Sequence, residues 1–162
     1  METESPTPTV PHVEPATPSL HPLEISFPLP KTPYTTLHIH LTFLATSTMV
    51  FLSTTTTGES GGEGGTLKPM GSFVYAMPDR TNPTSTISTA LYTSPGSIDY
   101  ATRTAKILAR RMGVPVYVGC NLDPAAMGTV AEEEMEGFSK IVDVIMERKS
   151  SINSPHHVAI IL

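Results

Sequence analysis

The sequence predicts an α+β domain: an antiparallel β-sheet of about six strands with two α-helices packed on it, in the order βββββαβα. Three observations lead there. Period-two alternation of apolar and polar residues is clear over residues 36–43. Short β-branched and aromatic runs punctuated by proline and glycine follow it as far as residue 92. Helical periodicity begins only after that, at about residues 97–112 and again at about 125–149, so strands largely precede helices.

The first strand is expected at Leu23-Glu24-Ile25-Ser26-Phe27, confined to a sheet edge because Pro28 and Pro30 cannot donate to a ladder. Leu37, Ile39, Leu41 and Phe43 then share one parity and His38, His40 and Thr42 the other, which gives one buried and one polar face. Ala45-Thr46-Ser47-Thr48 reads as a turn, and Met49-Val50-Phe51-Leu52 as a short, wholly apolar return strand nearer the sheet centre. The stretch over residues 54–66 joins a run of threonines to a glycine-glutamate segment and is expected to be a mobile surface loop. It is not a phosphate cradle: it carries two glutamates, lacks a Gly-Lys-Ser/Thr ending, and no helix follows. Phe73-Val74-Tyr75-Ala76-Met77 forms a further strand, and Thr84 to Tyr92 another, with Ile87, Thr89 and Leu91 on one face.

The first helix takes Ser97 and Asp99 at its start, the stripe Ile98, Ala101, Ala105, Leu108, Ala109, Met112, and Gly113 as its stop. Four of the chain's 10 basic residues, Arg103, Lys106, Arg110 and Arg111, lie on it. Val114 to Cys120 is the last strand. Asp123 and Pro124 suit a cap and first turn for the second helix, whose apolar stripe is Phe138, Ile141, Val142, Ile145, with Arg148 and Lys149 closing it. Gly128 and Gly137 weaken that helix locally.

The chain divides into a Pro/Thr-rich leader (1–21), a domain (22–149) and a tail (150–162). Nine of the 16 prolines fall within residues 1–33, and the leader cannot bury enough apolar surface to order itself. One cysteine among 162 residues excludes a disulfide framework and a multi-thiolate zinc cage. No apolar run approaches the roughly 20 residues of a membrane span, and the acidic N-terminus is no secretory signal. A net charge of -5 argues against nucleic acid. The expectation is a soluble intracellular protein.

Catalytic constellations are absent. His38 and His40 share a strand face, a spacing that suits a metal when a third ligand converges, and Asp79 or Asp123 carries no pattern that would supply it. They read as a solvent- or partner-facing pair. His156 and His157 fall in the tail and are expected to be exposed. Cys120 has no neighbouring base in sequence and reads as a buried structural thiol. There is no Gly-x-Ser-x-Gly elbow or Ser-x-x-Lys pair, and the glutamates of the second helix form a solvated run. No cofactor and no metal are expected.

Three segments in order carry a resemblance. Ala105-Lys106-Ile107-Leu108-Ala109-Arg110-Arg111, Val116-Tyr117-Val118-Gly119-Cys120-Asn121-Leu122 and Glu133-Glu134-Met135-Glu136-Gly137-Phe138 resemble the proteasome assembly chaperone 4 family, and the hairpin from Leu37 to Leu52 fits it too. The resemblance spans residues 23–145 and suggests a fungal-type member. It implies a non-catalytic chaperone, obligately paired with a chaperone 3 relative, that assists early assembly of the alpha ring of the 20S proteasome core particle. It further implies an alpha-type subunit, subunit 5, as client, and a cytoplasmic and nuclear location. The leader, the glycine-glutamate loop and the tail depart from compact members and look like surface additions. Other proteasome chaperones end in a hydrophobic-Tyr-x tail that enters alpha-ring pockets; Ile160-Ile161-Leu162 lacks the tyrosine, which disfavours that mode. Arg103, Lys106 and Arg110, about one turn apart on an acidic chain, are the candidate ring contact, with His38 and His40 as a second candidate partner surface. The competing readings are a small α+β adaptor without a proteasome role, and an enzyme using Cys120 or the histidine pair.

Overall fold

A computed structural model describes residues 21–58, 69–122, 127–128 and 130–153. The elements are β1 (Leu23–Pro28), β2 (Thr35–Phe43), β3 (Thr48–Thr56), β4 (Ser72–Pro78), β5 (Thr86–Tyr92), α1 (Ile98–Met112), β6 (Val116–Asn121) and α2 (Ala131–Asn153). The expected order βββββαβα is the observed one. The leader to residue 20, residues 59–66 of the glycine-glutamate loop, Asp123 with Pro124, His156 with His157, and the apolar chain end lie outside the described residues.

The six strands form one sheet in the order β1-β2-β3-β6-β4-β5. β1, β2 and β3 are an antiparallel meander and β4 with β5 an antiparallel hairpin. β6 enters between them, antiparallel to β4 and parallel to β3, so the sheet is mixed where an antiparallel one was expected. The reason is the crossover through α1, which returns the chain to the middle of the sheet in the direction of β3.

One face of the sheet carries the core. Leu37, Ile39 and Leu41 of β2, Val50 and Leu52 of β3, Val116, Val118 and Cys120 of β6, and Val74 and Ala76 of β4 are all essentially solvent-free. Against them α1 sets Ala101, Ala105, Leu108 and Ala109, and α2 sets Phe138, Ile141, Val142 and Ile145, in one continuous cluster. The small residues of α1 let its backbone approach the sheet closely. Ser97 begins α1 as expected, but its hydroxyl hydrogen-bonds with the Ser72 hydroxyl at 2.8 Å and accepts from the Ser72 N–H at 3.1 Å, tying the helix start to β4 rather than capping its own amides. Gly113 closes α1 at φ +69°, its N–H donating to Ala109 O.

Several boundaries differ from expectation. Thr54, Thr55 and Thr56 continue β3 and pair with Leu37, Thr36 and Thr35, so the loop begins later. β-Branched threonine suits a strand, and here it also has a partner. α2 starts at Ala131 rather than about 125: Gly128, at φ +115°, breaks helical continuity, and the Val130 carbonyl accepts from the Glu133 and Glu134 amides at 3.0 and 3.2 Å to begin the helix. The same helix runs on to Asn153, so Lys149 does not close it. Lys149 Nζ instead donates to Met112 O at 3.0 Å and completes the C-terminus of α1. Ile87 and Thr89 do share a face, but an exposed one, and Leu91 sits at a register shift in the β4–β5 ladder.

Candidate partner-docking surface

Both helices lie on one side of the sheet, and among the described residues no helix or strand covers the other. That second face is set by the opposite strand parity. β4 contributes Phe73, Tyr75 and Met77, β6 contributes Tyr117 and Gly119, and β3 contributes Met49 and Phe51, all but the fully covered Gly119 half-buried. Cross-strand pairing brings the rings together. Phe51 and Phe73 both stand opposite Gly119, and with no side chain between them their rings meet almost parallel, 3° apart with centroids at 6.1 Å. Phe73 continues onto Tyr117 at 6.1 Å, and Tyr117 onto Tyr75 at 4.9 Å. A Cβ on Gly119 would fall 2.4 Å from the Phe51 ring, so the glycine is what permits the row. Half-buried aromatics on an uncovered sheet face offer large, rigid apolar area at little entropic cost, the composition of a protein-binding surface.

The β1–β2 half of the same face is polar. His38 hydrogen-bonds with Ser26 Oγ through Nδ1 and with Thr55 Oγ1 through Nε2, both at 2.8 Å, and His40 Nδ1 lies 3.5 Å from Glu24 Oε1. His38 and His40 therefore do sit together on one face as the spacing implied, each engaged by its cross-strand neighbours. Among the described residues no three His, Cys, Asp or Glu side chains converge as metal ligands. Asp79 accepts from Thr81 Oγ1 at 2.7 Å and the Thr81 N–H at 2.8 Å in a turn three strands away, and those bonds hold its carboxyl below the ordinary range.

The basic residues of α1 divide. Arg103 turns to α2, where its guanidinium bonds Glu134 and lies 4.7 Å from the Phe138 ring centroid and 5.3 Å from that of Tyr100. Arg111 also reaches α2, at 3.3 Å from Asp143. Lys106 and Arg110 remain on the solvent side. Cys120 is wholly buried in β6, and burial pushes its thiol from 9.0 up to about 11, the opposite of an activated nucleophile.

Sequence reasoning missed the aromatic face, although a signal was present. Phe73, Tyr75 and Tyr117 alternate with Val74, Ala76, Val116 and Val118, so both parities of the central strands are apolar. That pattern marks a strand with something to bury on each side, while one side alone is covered here.

A one-sided sheet whose open face carries a row of aromatic rings has the make-up of a protein-binding module. The family model of proteasome assembly chaperone 4 matches residues 36–122, and the chain belongs to that family of non-catalytic chaperones. The matched segment runs from β2 through β6 and so includes every strand of the aromatic face. A solved chain from a novel chaperone complex for yeast 20S proteasome assembly has the same fold, with a TM-score of 0.57 at 17% identity, covering 79% of this chain and 96% of that one. No curated protein matches the sequence.

Proposed function

We propose that the chain is one half of a chaperone pair that assists early assembly of the alpha ring of the 20S core particle in the cytoplasm and nucleus. The aromatic half of the open sheet face receives a chaperone 3 relative, and the pair captures an alpha-type subunit, subunit 5. The observation that carries this reading is the row Phe51–Phe73–Tyr117–Tyr75, uncovered on a member of an assembly-chaperone family. A second sheet laid on it, at the roughly 10 Å spacing of stacked sheets, would bury the row as a core. Lys106 and Arg110 on the far side of the molecule stay free to steer an acidic client, and Arg103 contributes less because α2 already engages it.

Co-expression with a chaperone 3 relative followed by sedimentation tests the pairing. The wild-type chain should co-sediment as a heterodimer, and Phe73→Ser with Tyr117→Ser should release it while the helical signal persists. Lys106→Glu with Arg110→Glu should leave the pair intact and slow capture of the alpha subunit in low salt. A stable monomer indifferent to its partner, or a serine variant that pairs with wild-type affinity, would sink the reading.

A further inference from the structure

The two edges of the sheet are built differently, and two hydrogen bonds beyond the ladders show how. The Leu29 N–H donates to Thr35 O at 3.0 Å, which continues the β1–β2 register by one pair. Successive residues of a strand turn their backbone groups to opposite edges. Leu23, Ile25 and Phe27 therefore bond β2, while Pro22, Glu24, Ser26 and Pro28 face outward. Two of those outward positions have no N–H to offer and a third carries a charge, the usual defence of an edge.

At the other edge the Asp79 N–H donates to Ser85 O at 3.2 Å and continues the β4–β5 register in the same way. Ile87 and Thr89 thus face β4, and Thr86, Ser88 and Ala90 turn their N–H and C=O groups outward. None of the three is proline, and no residue of β5 is charged. Its apolar side chains are also unusually bare: Ile87 is 52% exposed, Leu91 53% and Tyr92 59%. Among the described residues no strand pairs with this edge.

We propose that the free edge of β5 binds an extended, uncharged segment of the client chain as an added strand, paired through Thr86, Ser88 and Ala90. This rests on the chaperone reading above: the backbone edge of β5 is left to the client beside the aromatic face that receives the chaperone partner, a face that Ile87 and Tyr92 border opposite Met77 and Phe73. Backbone donors and acceptors repeating every second residue, hydrated when free, are matched in register by another extended chain, and pairing of this kind tolerates varied side chains. A second copy is the poorer occupant. A seven-residue strand pair covers far less than the roughly 1,200–2,000 Å² of a stable specific interface. A short-lived hold suits a client that must be released into a ring.

The test uses the full chain assembled with its chaperone 3 relative, with recombinant alpha-type subunits offered one at a time. Ser88→Pro removes an outward N–H without taking a bond from β4, and Ala90→Lys sets a charge on the edge by a different route. Both should weaken client capture at least tenfold while partner pairing and thermal midpoint stay at wild-type values. Hydrogen exchange in the wild-type ternary complex should show the amides of Thr86, Ser88 and Ala90 slowed at least tenfold on client binding. If wild type captures a client and both variants capture it equally, the edge assignment falls and the chaperone reading stands. If wild type captures no alpha-type subunit, both fall together. If Ser88→Pro instead abolishes self-association of the chain and leaves client capture intact, the edge serves a second copy and the proposal is wrong.

Discussion

Truncation of Phe138 is the sharpest probe of how α2 is held. Phe138 is 5% exposed, meets Tyr100 edge-to-face at 5.5 Å and 82°, and lies 4.7 Å beneath the Arg103 guanidinium that also binds Glu134. Removing a buried phenylalanine ring typically costs about 3–5 kcal/mol. Because that loss includes an aromatic pair worth about 0.5–1.5 kcal/mol, Phe138→Ala should cost about 4 kcal/mol. For a domain of this size each kcal/mol moves the midpoint by about 3–5 °C, so calorimetry should record a fall of about 12–20 °C. A double-mutant cycle with Arg103→Met separates the cation–ring contact, which should appear as a coupling of about 0.5–2 kcal/mol. A loss below about 1 kcal/mol, in the free chain or in the assembled pair, would show that α2 does not dock through this ring.

Gly71→Ala should cost about 2–4 kcal/mol, because the residue sits at φ +73° and an added Cβ would fall 2.0 Å from the Cys120 carbonyl oxygen; a midpoint unchanged to within about 2–3 °C would refute this close approach of the chain entering β4 to β6. Stability should fall as pH rises from 9.0 towards about 11, since the unfolded chain sheds the Cys120 proton near the lower value and the folded one holds it to the higher. The loss is about 1.4 kcal/mol per pH unit, full stability being present below pH 9.0, and urea melts of Cys120→Ala should lack this part of the slope.

Much of the fold was legible because burial imposes a parity. Leu37, Ile39 and Leu41 alternate against polar neighbours, and all three are buried; the stripe of α1 read just as directly. What parity does not carry is the identity of a neighbour. Nothing in Val116-Tyr117-Val118 says that it lies between β3 and β4, or that it runs parallel to β3, since that follows from where α1 deposits the chain. Asp123-Pro124 has the chemistry of a helix start, yet the helix begins at Ala131, beyond a glycine at positive φ. The candidate site was legible only in part. Arg103 reads as a surface charge until α2 places Glu134 and Phe138 beside it, and the aromatic row depends on a register that brings Phe51 and Phe73 to Gly119 from opposite sides.

The late arrival of β6 also bears on biosynthesis. The β1–β3 meander and the β4–β5 hairpin share no ladder with each other; β6 alone joins them. During translation the two half-sheets must therefore wait as separate pieces until residues 116–121 leave the ribosome, which at about 5–20 residues per second leaves the chain unjoined for a few seconds after β5 is made. In that interval Phe51 and Phe73 belong to different unfinished fragments, and the inner edges of β3 and β4 lie open to any strand that comes first. A member of a family that helps other proteins assemble thus meets, while it is being made, an assembly problem of its own.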